Sequence, residues 1–397
     1  MKKKLLILLM AGLLAVGCTS PKDDKAGEDK KAAEVTENTD ANENKDANEN
    51  ADANENADAK EDANAEAGFK AHAISELEKI DEAYKKSTLA KDAIAELEKI
   101  QEDADTMNFT DDTGRESVTV KKRPKKVAVF YSSYASMYDE LGGKIDLIIG
   151  GDNAVEVYKF QRGKDITEGK NVIVTSPSGK NWDVEKIISE KPDLIICAMT
   201  SNGYGTIEEA AKAAGIDLIG ISFNGVRDYA KWAYIYTSLN DNQEAFDNVA
   251  LKTIEGVSKI IEEVPIRDHK PQVISIMPVA KGIKGNYTQS DLGTILQDLG
   301  TQNRLGGEVK KGASPRVDIS IEDIVKMNPE YIFIQCMNSE DYARESVEKY
   351  LSSTDAWAKV DAVANGHVYY LPRGLFHNKP NSKYVDAYQM IFDYLYK

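Results

Sequence analysis

The sequence predicts an α/β fold made of two Rossmann-like lobes, joined by a single long α-helix and separated by a cleft, behind a disordered acidic tether. Short apolar runs alternate with helical stretches, which is typical of a parallel sheet covered by helices on both faces. This alternation occurs twice, on either side of one long amphipathic stretch. A pattern of helix, Pro-acid turn and buried strand also recurs in both halves, which supports the division into two lobes.

The first eighteen residues have the pattern of an export signal. Three lysines precede an apolar run over 5–14, and small residues lead to Cys18. Ten apolar residues are too few to cross a hydrocarbon core of about 30 Å as a permanent helix. The segment resembles a bacterial lipoprotein signal, in which Cys18 becomes the lipidated first residue. We therefore expect a protein anchored to the cell membrane on its extracytoplasmic face, with a plain secretory signal as the alternative.

Charge is concentrated in the next segment. The chain carries 50 Lys and Arg against 66 Asp and Glu, and residues 19–68 hold sixteen of these acids against six lysines. This segment lacks aromatic residues and repeats a six-residue unit over 45–56, so it has too little apolar surface to fold. We predict a solvated linker. The acid excess also makes nucleic acid a poor partner.

Residues 70–106 have a different character, since the pattern Ile-x-Glu-Leu-Glu-Lys-Ile occurs at 74–80 and again at 94–100. Its apolar spacing predicts two short amphipathic helices. A spacer left by duplication is an equal alternative to a functional element. The predicted segments are a signal peptide (1–18), an acidic linker (19–68), a helical segment (69–108), a first lobe (109–240), an interlobe helix (241–265) and a second lobe (266–397).

The two lobes are predicted from their strands. The first set lies at 126–131, 146–150, 171–175, 193–197 and 217–222, and the second at 272–277, 331–335 and 367–371. Helices are predicted at 182–190, 207–214, 291–299 and 321–327. Between the two sets, the stretch 242–263 has apolar residues at helical spacing and is closed by Pro265. We interpret it as a stiff connection that limits hinge travel.

Seven motifs in order give a more specific interpretation. They include Thr-Asp-Asp-Thr-Gly-Arg at 110–115, Lys-Pro-Asp-Leu-Ile-Ile at 191–196, Leu-Gly-Thr-Gln-Asn-Arg at 299–304 and Asn-Pro-Glu-Tyr-Ile at 328–332. Over residues 110–397 the chain resembles the substrate-binding proteins of bacterial ABC importers for iron-siderophores, haem and vitamin B12. The resemblance implies a monomeric receptor that delivers its ligand to a membrane permease and, through it, to an ATPase.

Candidate ligand-binding residues follow from the rule that ligands lie beyond the carboxyl ends of strands in open α/β sheets. Aromatic and cationic side chains at these positions suit a bulky, flat or anionic ligand such as a ferric siderophore. The candidates are Tyr131, Ser133, Tyr134, Met199, Thr200, Asn202, Asn224, Lys281, Lys284, Tyr287, Arg373, His377 and Lys379.

His377 is the one histidine of four that we place in the cleft. A single histidine cannot form the multi-histidine site of an importer of free metal ions, so we predict no direct metal site. His377 is instead a possible axial ligand of haem, with an ordinary polar histidine as the favoured alternative. Cys197 and Cys336 end apolar strands and are interpreted as buried thiols. No resident cofactor is expected.

Glu185 and Glu322 occupy matching positions, each seven residues before the proline of the recurring pattern. The resemblance implies that one glutamate of each lobe docks against permease arginines. Ordinary helix N-terminal acids are the alternative.

The favoured function is thus capture of a ferric siderophore or related iron complex, without enzymatic activity. Haem or cobalamin binding is the alternative within the class, and an exported enzyme or a surface adhesin is the alternative outside it.

Overall fold

Three sheets organise the part of the chain that the computed structural model describes, which comprises residues 55–150, 159, 162–163, 171–174, 182–199, 203–307, 309 and 314–397. The predicted signal peptide, Cys18 and most of the predicted linker lie outside these ranges. In the described part, no helix combines the length and apolar character needed to cross a membrane.

The described chain begins with a helical hairpin and a small antiparallel sheet. The elements are α1 (Glu55–Ala83), α2 (Leu89–Leu97), β1 (Gln101–Glu102), β2 (Thr106–Phe109) and β3 (Val118–Lys121). Two helices were predicted here, but α1 is long and begins at Glu55, inside the predicted linker. Residues 71–80 and 91–100 share one burial pattern, with Leu77 and Leu97 fully buried at equivalent positions. The repeat in the sequence is therefore a repeat in structure.

The first lobe contains a five-stranded parallel sheet in the order β6-β5-β4-β7-β8. Every residue of its strands β4 and β7 is buried, as expected of strands covered on both faces. The five strands lie where the sequence predicts them. The elements of this lobe are β4 (Val127–Phe130), α3 (Ser132–Glu140), β5 (Leu147–Gly150), β6 (Asn171–Val174), α4 (Val184–Ser189), β7 (Leu194–Ala198), α5 (Tyr204–Ala214) and β8 (Asp217–Ile221).

Two helical segments, rather than one, lie between the sheets. They are α6 (Val226–Leu239) and a continuous segment made of α7 (Gln243–Ala245), a π-helical stretch (Phe246–Leu251) and α8 (Lys252–Glu262). The second segment matches the predicted interlobe helix, and its apolar positions Phe246, Ile254 and Val257 are buried. The sequence analysis missed α6. That one helix alone connects the lobes stays a prediction.

The second lobe has a six-stranded sheet in the order β12-β10-β9-β13-β14, with β11 pairing to β9. The predicted strands form its parallel part, β9, β13 and β14, while the antiparallel β10 was not predicted. The elements are β9 (Gln272–Val279), β10 (Gly282–Asn286), α9 (Asp291–Asp298), β11 (Gln302–Asn303), β12 (Arg316–Ile319), α10 (Ile321–Met327), β13 (Tyr331–Gln335), α11 (Glu340–Val347), a π-helical turn (Glu348–Ser352), a 3₁₀ turn (Trp357–Lys359), α12 (Asp361–Ala364), β14 (Val368–Leu371), α13 (Arg373–Phe376), a second 3₁₀ turn (Asn381–Lys383) and α14 (Tyr384–Tyr396).

The recurring Pro-acid turn has the same role in both lobes. Asp193 accepts a hydrogen bond from the backbone N–H of Lys125 at 2.8 Å, just before the central strand β4. Glu330 accepts one from the backbone N–H of Gln272 at 2.9 Å, at the first residue of the central strand β9. Each acid thus fixes the amino end of the central strand next to its own strand, which explains why both halves carry the pattern.

The hairpin formed by α1 and α2 packs on the helices between the sheets. Phe69 lies 5.5 Å from Tyr234 of α6 and 5.7 Å from Phe246, ring centre to ring centre. Ser87 Oγ donates to Ser258 Oγ of α8 at 3.0 Å. The three aromatic residues belong to one hydrophobic core that also contains residues of α14 and of both lobe sheets. The hairpin is therefore part of the folded body.

Candidate ligand-binding cleft

An aromatic group lies at the carboxyl end of β4. Tyr131 directly follows this strand and has a backbone φ of 73°, which side chains other than glycine rarely adopt. The residue remains 42% exposed, and its ring lies 5.1 Å from the buried ring of Tyr134, which in turn lies 5.4 Å from Phe223. Strained backbone of this kind persists where the surrounding structure enforces it, and it is concentrated at functional sites.

The charges of two guanidinium groups of the second lobe act on this aromatic group. Arg316, at the start of β12, donates from Nε to Asn286 Oδ1 at 3.0 Å, and burial lowers its pKa. Desolvation of the Tyr131 hydroxyl, helped by Asp291, raises the pKa of that phenol, whereas the positive charges of Arg316 and Arg373 lower it. Positive charges of the second lobe therefore act on the aromatic group of the first lobe.

His377 follows α13 on the same side of the cleft. Burial, with the nearby charges of Arg373 and Arg316, lowers the pKa of His377 to about 4. The imidazole is therefore neutral at physiological pH. Its buried Nδ1 has no hydrogen-bonding partner among the described residues.

Lys379 lies at the junction of the lobes instead of reaching freely into the cleft. Its Nζ donates to Asn224 Oδ1 at 2.9 Å and to Asp291 Oδ2 at 2.5 Å, while its backbone N–H donates to Ser133 Oγ at 3.3 Å. The predicted residues Ser133, Asn224 and Lys379 are thus brought together. Their side chains hold the lobes to each other, and Ser133 is fully buried.

Gly225 completes this junction. Its backbone N–H donates to Asp291 Oδ1 at 2.8 Å, with φ at 88° in the region that favours glycine. A Cβ at this position would lie 2.6 Å from Thr294 Oγ1. The close approach of the two lobes at this point therefore requires glycine.

The remaining predicted residues lie apart from this cluster or outside the described ranges. Thr200 and Asn202 fall outside the described ranges, and Met199 is described directly after β7. Lys281 and Lys284 lie on the β9–β10 hairpin, where Lys284 pairs with Asp318 at 2.7 Å. Tyr287 packs beside Gly307. No contact in the described part links these three to the cluster around Tyr131, and their binding role stays a prediction.

Arg316 and Asp291 are the cleft residues that the sequence analysis missed. The strand-end rule selects residues that follow a strand, whereas Arg316 is the first residue of one and bonds Asn286 at the end of β10. Asp291 is the first residue of α9 and reads in sequence as an ordinary N-terminal helix acid. An unexplained Arg at the start of a short edge strand is the only signal that the sequence offers.

The predicted docking acids occupy equivalent sites outside the cleft. Glu185 is the second residue of α4, whose N-cap is Asp183, and Glu322 is the second residue of α10, whose N-cap is Ser320. Both are exposed. The equivalence expected from the sequence is present in the fold, and the docking role stays a prediction.

The two cysteines of the strands are buried free thiols, as interpreted from the sequence. Burial raises the pKa of Cys197, and it raises that of Cys336 to about 11. Among the described residues, no group of three or more His, Cys, Asp or Glu is arranged to hold a metal ion.

Comparison with known proteins agrees with this architecture. The model of the family described as periplasmic binding protein matches residues 127–375, which include both sheets and the cleft residues up to Arg373. An uncharacterized ABC transporter substrate-binding lipoprotein of Bacillus subtilis, YvrC, is 25% identical over 281 residues, covering 65% of this chain and 76% of the relative.

Solved structures share the fold. The periplasmic catecholate-siderophore binding protein VctP of Vibrio cholerae superposes with a TM-score of 0.55 at 17% identity, covering 73% of this chain and 99% of its own. S. aureus IsdE complexed with heme superposes with a TM-score of 0.53 at 16% identity, covering 68% and 99%.

Proposed function

The chain belongs to the periplasmic binding protein family and is the substrate-binding protein of an ABC transporter, and we propose that its ligand is a ferric siderophore or a related anionic iron complex. The observation that carries this proposal is the combination of cations and an aromatic residue: the charges of Arg316 and Arg373 act on the phenol of Tyr131 and lower its pKa, and Tyr131 remains 42% exposed. Guanidinium groups form charge-assisted hydrogen bonds with anionic oxygens, and an exposed ring stacks on a flat ligand.

The mature protein is proposed to act as a monomer tethered through lipidated Cys18 to the extracytoplasmic face of the cell membrane. A tether keeps the loaded protein near the permease, so an affinity of about micromolar, near −8 kcal/mol, is sufficient for delivery. Hydrolysis of ATP is assigned to a partner of the permease. Ligand capture is proposed to involve a small closure of the lobes.

Haem is the second candidate, and one observation favours it. The imidazole of His377 is neutral at physiological pH, which is the protonation state required of an axial iron ligand. Arg373 is near enough to His377 to lower its pKa, so it is placed to pair with a carboxylate of such a ligand.

A ligand screen distinguishes these candidates. The reporter is Trp182, whose ring lies 4.5 Å from Phe130, the residue before Tyr131. We expect ferric catecholate complexes to quench its fluorescence with a saturating one-to-one curve, whereas the iron-free chelators have a weaker effect. A Soret band on adding haem would assign the cleft to haem. Lack of response to ferric chelates, haem and corrinoids would contradict the proposal and favour an exported enzyme or adhesin.

A further inference from the structure

A basic concavity of about 760 Å³ lies at the amino ends of the first-lobe strands, away from the cleft. Its lining contains five cations against two carboxylates, on a chain whose net charge is −16. The lining of this concavity therefore carries a net positive charge, opposite in sign to that of the whole chain. The charged lining residues are Lys121, Lys122, Arg123, Lys125, Lys191, Asp193 and Asp217.

Both carboxylates of the lining are engaged by the backbone. Asp217 accepts from the N–H of Lys121 at 2.9 Å, and Asp193 accepts from the N–H of Lys125 at 2.8 Å. These hydrogen bonds come from the backbone and do not use the lysine side chains. The ammonium groups of these two lysines are left for other partners.

Two of the cations have internal partners, and three are exposed. Lys122 is buried and pairs with Glu102 at 3.2 Å, and Arg123 pairs with Asp241 at 2.9 Å. By contrast, the structure gives no ion pair to three exposed lysines within its described ranges. These are Lys121, Lys125 and Lys191, which we call the lysine triad.

The direction of α1 places the lysine triad near the point where the anchored chain enters the body. His72 bonds Asp247 at 2.9 Å and the backbone N–H of Lys86 bonds Glu262 at 2.8 Å, so α1 runs alongside α7 and α8 in the same direction. Its earlier residues therefore extend past Asp247 toward Asp241, the partner of Arg123. From Glu55 to His72 a helix rises about 25 Å.

We propose that the lysine triad binds the phosphate headgroups of anionic lipids in the membrane that holds the anchor. Each Lys near an anionic surface adds attraction to it, and this attraction falls off within a Debye length of about 8–10 Å. Charges that lie beyond this distance contribute little, so the lysine triad dominates the local interaction with the membrane. The tether supplies a high effective concentration, so weak contacts are sufficient. The contact orients the body on the membrane. This inference rests on the membrane anchoring included in the proposed function.

Lysine footprinting on the lipidated protein tests the proposal. The protein is reconstituted in nanodiscs of phosphatidylcholine alone or with 30% phosphatidylglycerol, acetylated briefly and read by peptide mass spectrometry. We expect the lysine triad to be labelled at least three-fold more slowly on the anionic discs, and this protection to disappear in 0.5 M NaCl. Exposed Lys326 of the second lobe serves as the internal control and should not change.

A charge-reversed variant provides the second measurement. In Lys125→Glu, the protection of Lys121 and Lys191 should fall, whereas Lys326→Glu should leave it intact. Equal labelling on both kinds of disc would overturn the proposal. Slow labelling of the lysine triad already in detergent would also overturn the proposal, because it would show that the acidic linker or another protein, and not lipid, covers these lysines. The mass of the N-terminal peptide reports lipidation separately, so a failure of anchoring is distinguished from a failure of lipid binding.

Discussion

The ionisation of His377 is set by its surroundings at the cleft. Burial and two neighbouring guanidinium groups all disfavour the imidazolium form, which lowers the pKa to about 4. Between pH 6.5 and pH 4, His377 is protonated in the unfolded chain but neutral in the folded chain. This contribution to stability is therefore complete above about pH 6.5 and is lost as pH falls toward 4.

A pH series of urea unfolding tests this assignment. We expect the free energy of unfolding to fall by up to about 3 kcal/mol more in the wild type than in His377→Gln as pH drops from 6.5 to 4. His269→Gln is the matched control, since that exposed imidazole pairs with Glu330 at the surface. An imidazole of His377 that titrates near 6.5 by NMR would contradict the assignment.

At the scale of single residues, the sequence predicted the first-lobe side of the cleft better than the second. Tyr131 and Tyr134 follow a parallel strand, and the strand-end rule selects them. Lys379 also follows its strand as expected, yet its ammonium group is held by Asp291 of α9 in its own lobe and by Asn224 of the first lobe. Pairing across distant parts of the chain depends on tertiary structure, which a single sequence does not reveal.

At the scale of elements, the hairpin of α1 and α2 is joined to both lobes through Arg227 of α6. This guanidinium donates from Nε to Asp92 of α2 at 2.8 Å and from Nη1 to Asp298 of α9 at 2.7 Å. Tyr388 of α14 donates to the same Asp298 at 2.6 Å. One side chain thus connects the hairpin, the helices between the sheets and the second lobe.

Removal of this guanidinium should destabilise the protein through the carboxylate that it leaves behind. We expect Arg227→Met to lower the free energy of unfolding by about 2 kcal/mol, because the buried Asp298 loses its charged partner. Asp298→Asn in the same background should recover part of the loss. Arg344→Met, which removes an exposed pair with Glu340 and a contact with the ring of Tyr370 at 4.0 Å, should cost less than about 1 kcal/mol. Unfolding in urea measures these changes. Equal losses of unfolding free energy in Arg227→Met and Arg344→Met would disprove this account.

Several helices, among them α3, α6 and α14, were not predicted from the sequence, and α6 shows why periodicity fails for some elements. Eleven of the fourteen residues of α6 are buried, and its charged residues Arg227, Asp228 and Lys231 are confined to the first two turns, so the 3.6-residue pattern does not continue along the helix. Its neighbour α8 has one exposed face, and its pattern was recognised. The strands β10 and β12 were missed for another reason: Gly282 and Gly285 weaken the strand signal of β10, and its pairing is antiparallel in a lobe predicted to be parallel.

At the scale of the whole molecule, the two lobes present one exposed glutamate each at equivalent helix starts. If Glu185 and Glu322 dock on the permease, then Glu185→Gln with Glu322→Gln should reduce iron uptake by cells at least ten-fold while ligand affinity is unchanged. Exposed Glu209 of α5 offers the control variant Glu209→Gln. Undiminished uptake by the double variant, or an equal loss in the control, would count against docking through these acids.

The two-lobed architecture itself was predictable because both lobes repeat one local pattern. The Pro-acid turns at Asp193 and Glu330 fix matching strands in each half, and their spacing in the sequence is visible without a structure. What the sequence could not predict is the junction of the lobes, because it depends on Asp291, Gly225 and Lys379 meeting from three separate elements.

The central claim is that the cleft binds an anionic iron complex through the guanidinium groups of Arg316 and Arg373. Isothermal titration with a ferric catecholate complex tests it most directly, in the wild type and in a variant carrying Arg316→Met and Arg373→Met. We expect one-to-one binding at about micromolar affinity or tighter, weakened at least a hundred-fold (about 2.7 kcal/mol) in the variant and unaffected by Arg344→Met. Binding of equal strength in the wild type and the double variant would contradict the account.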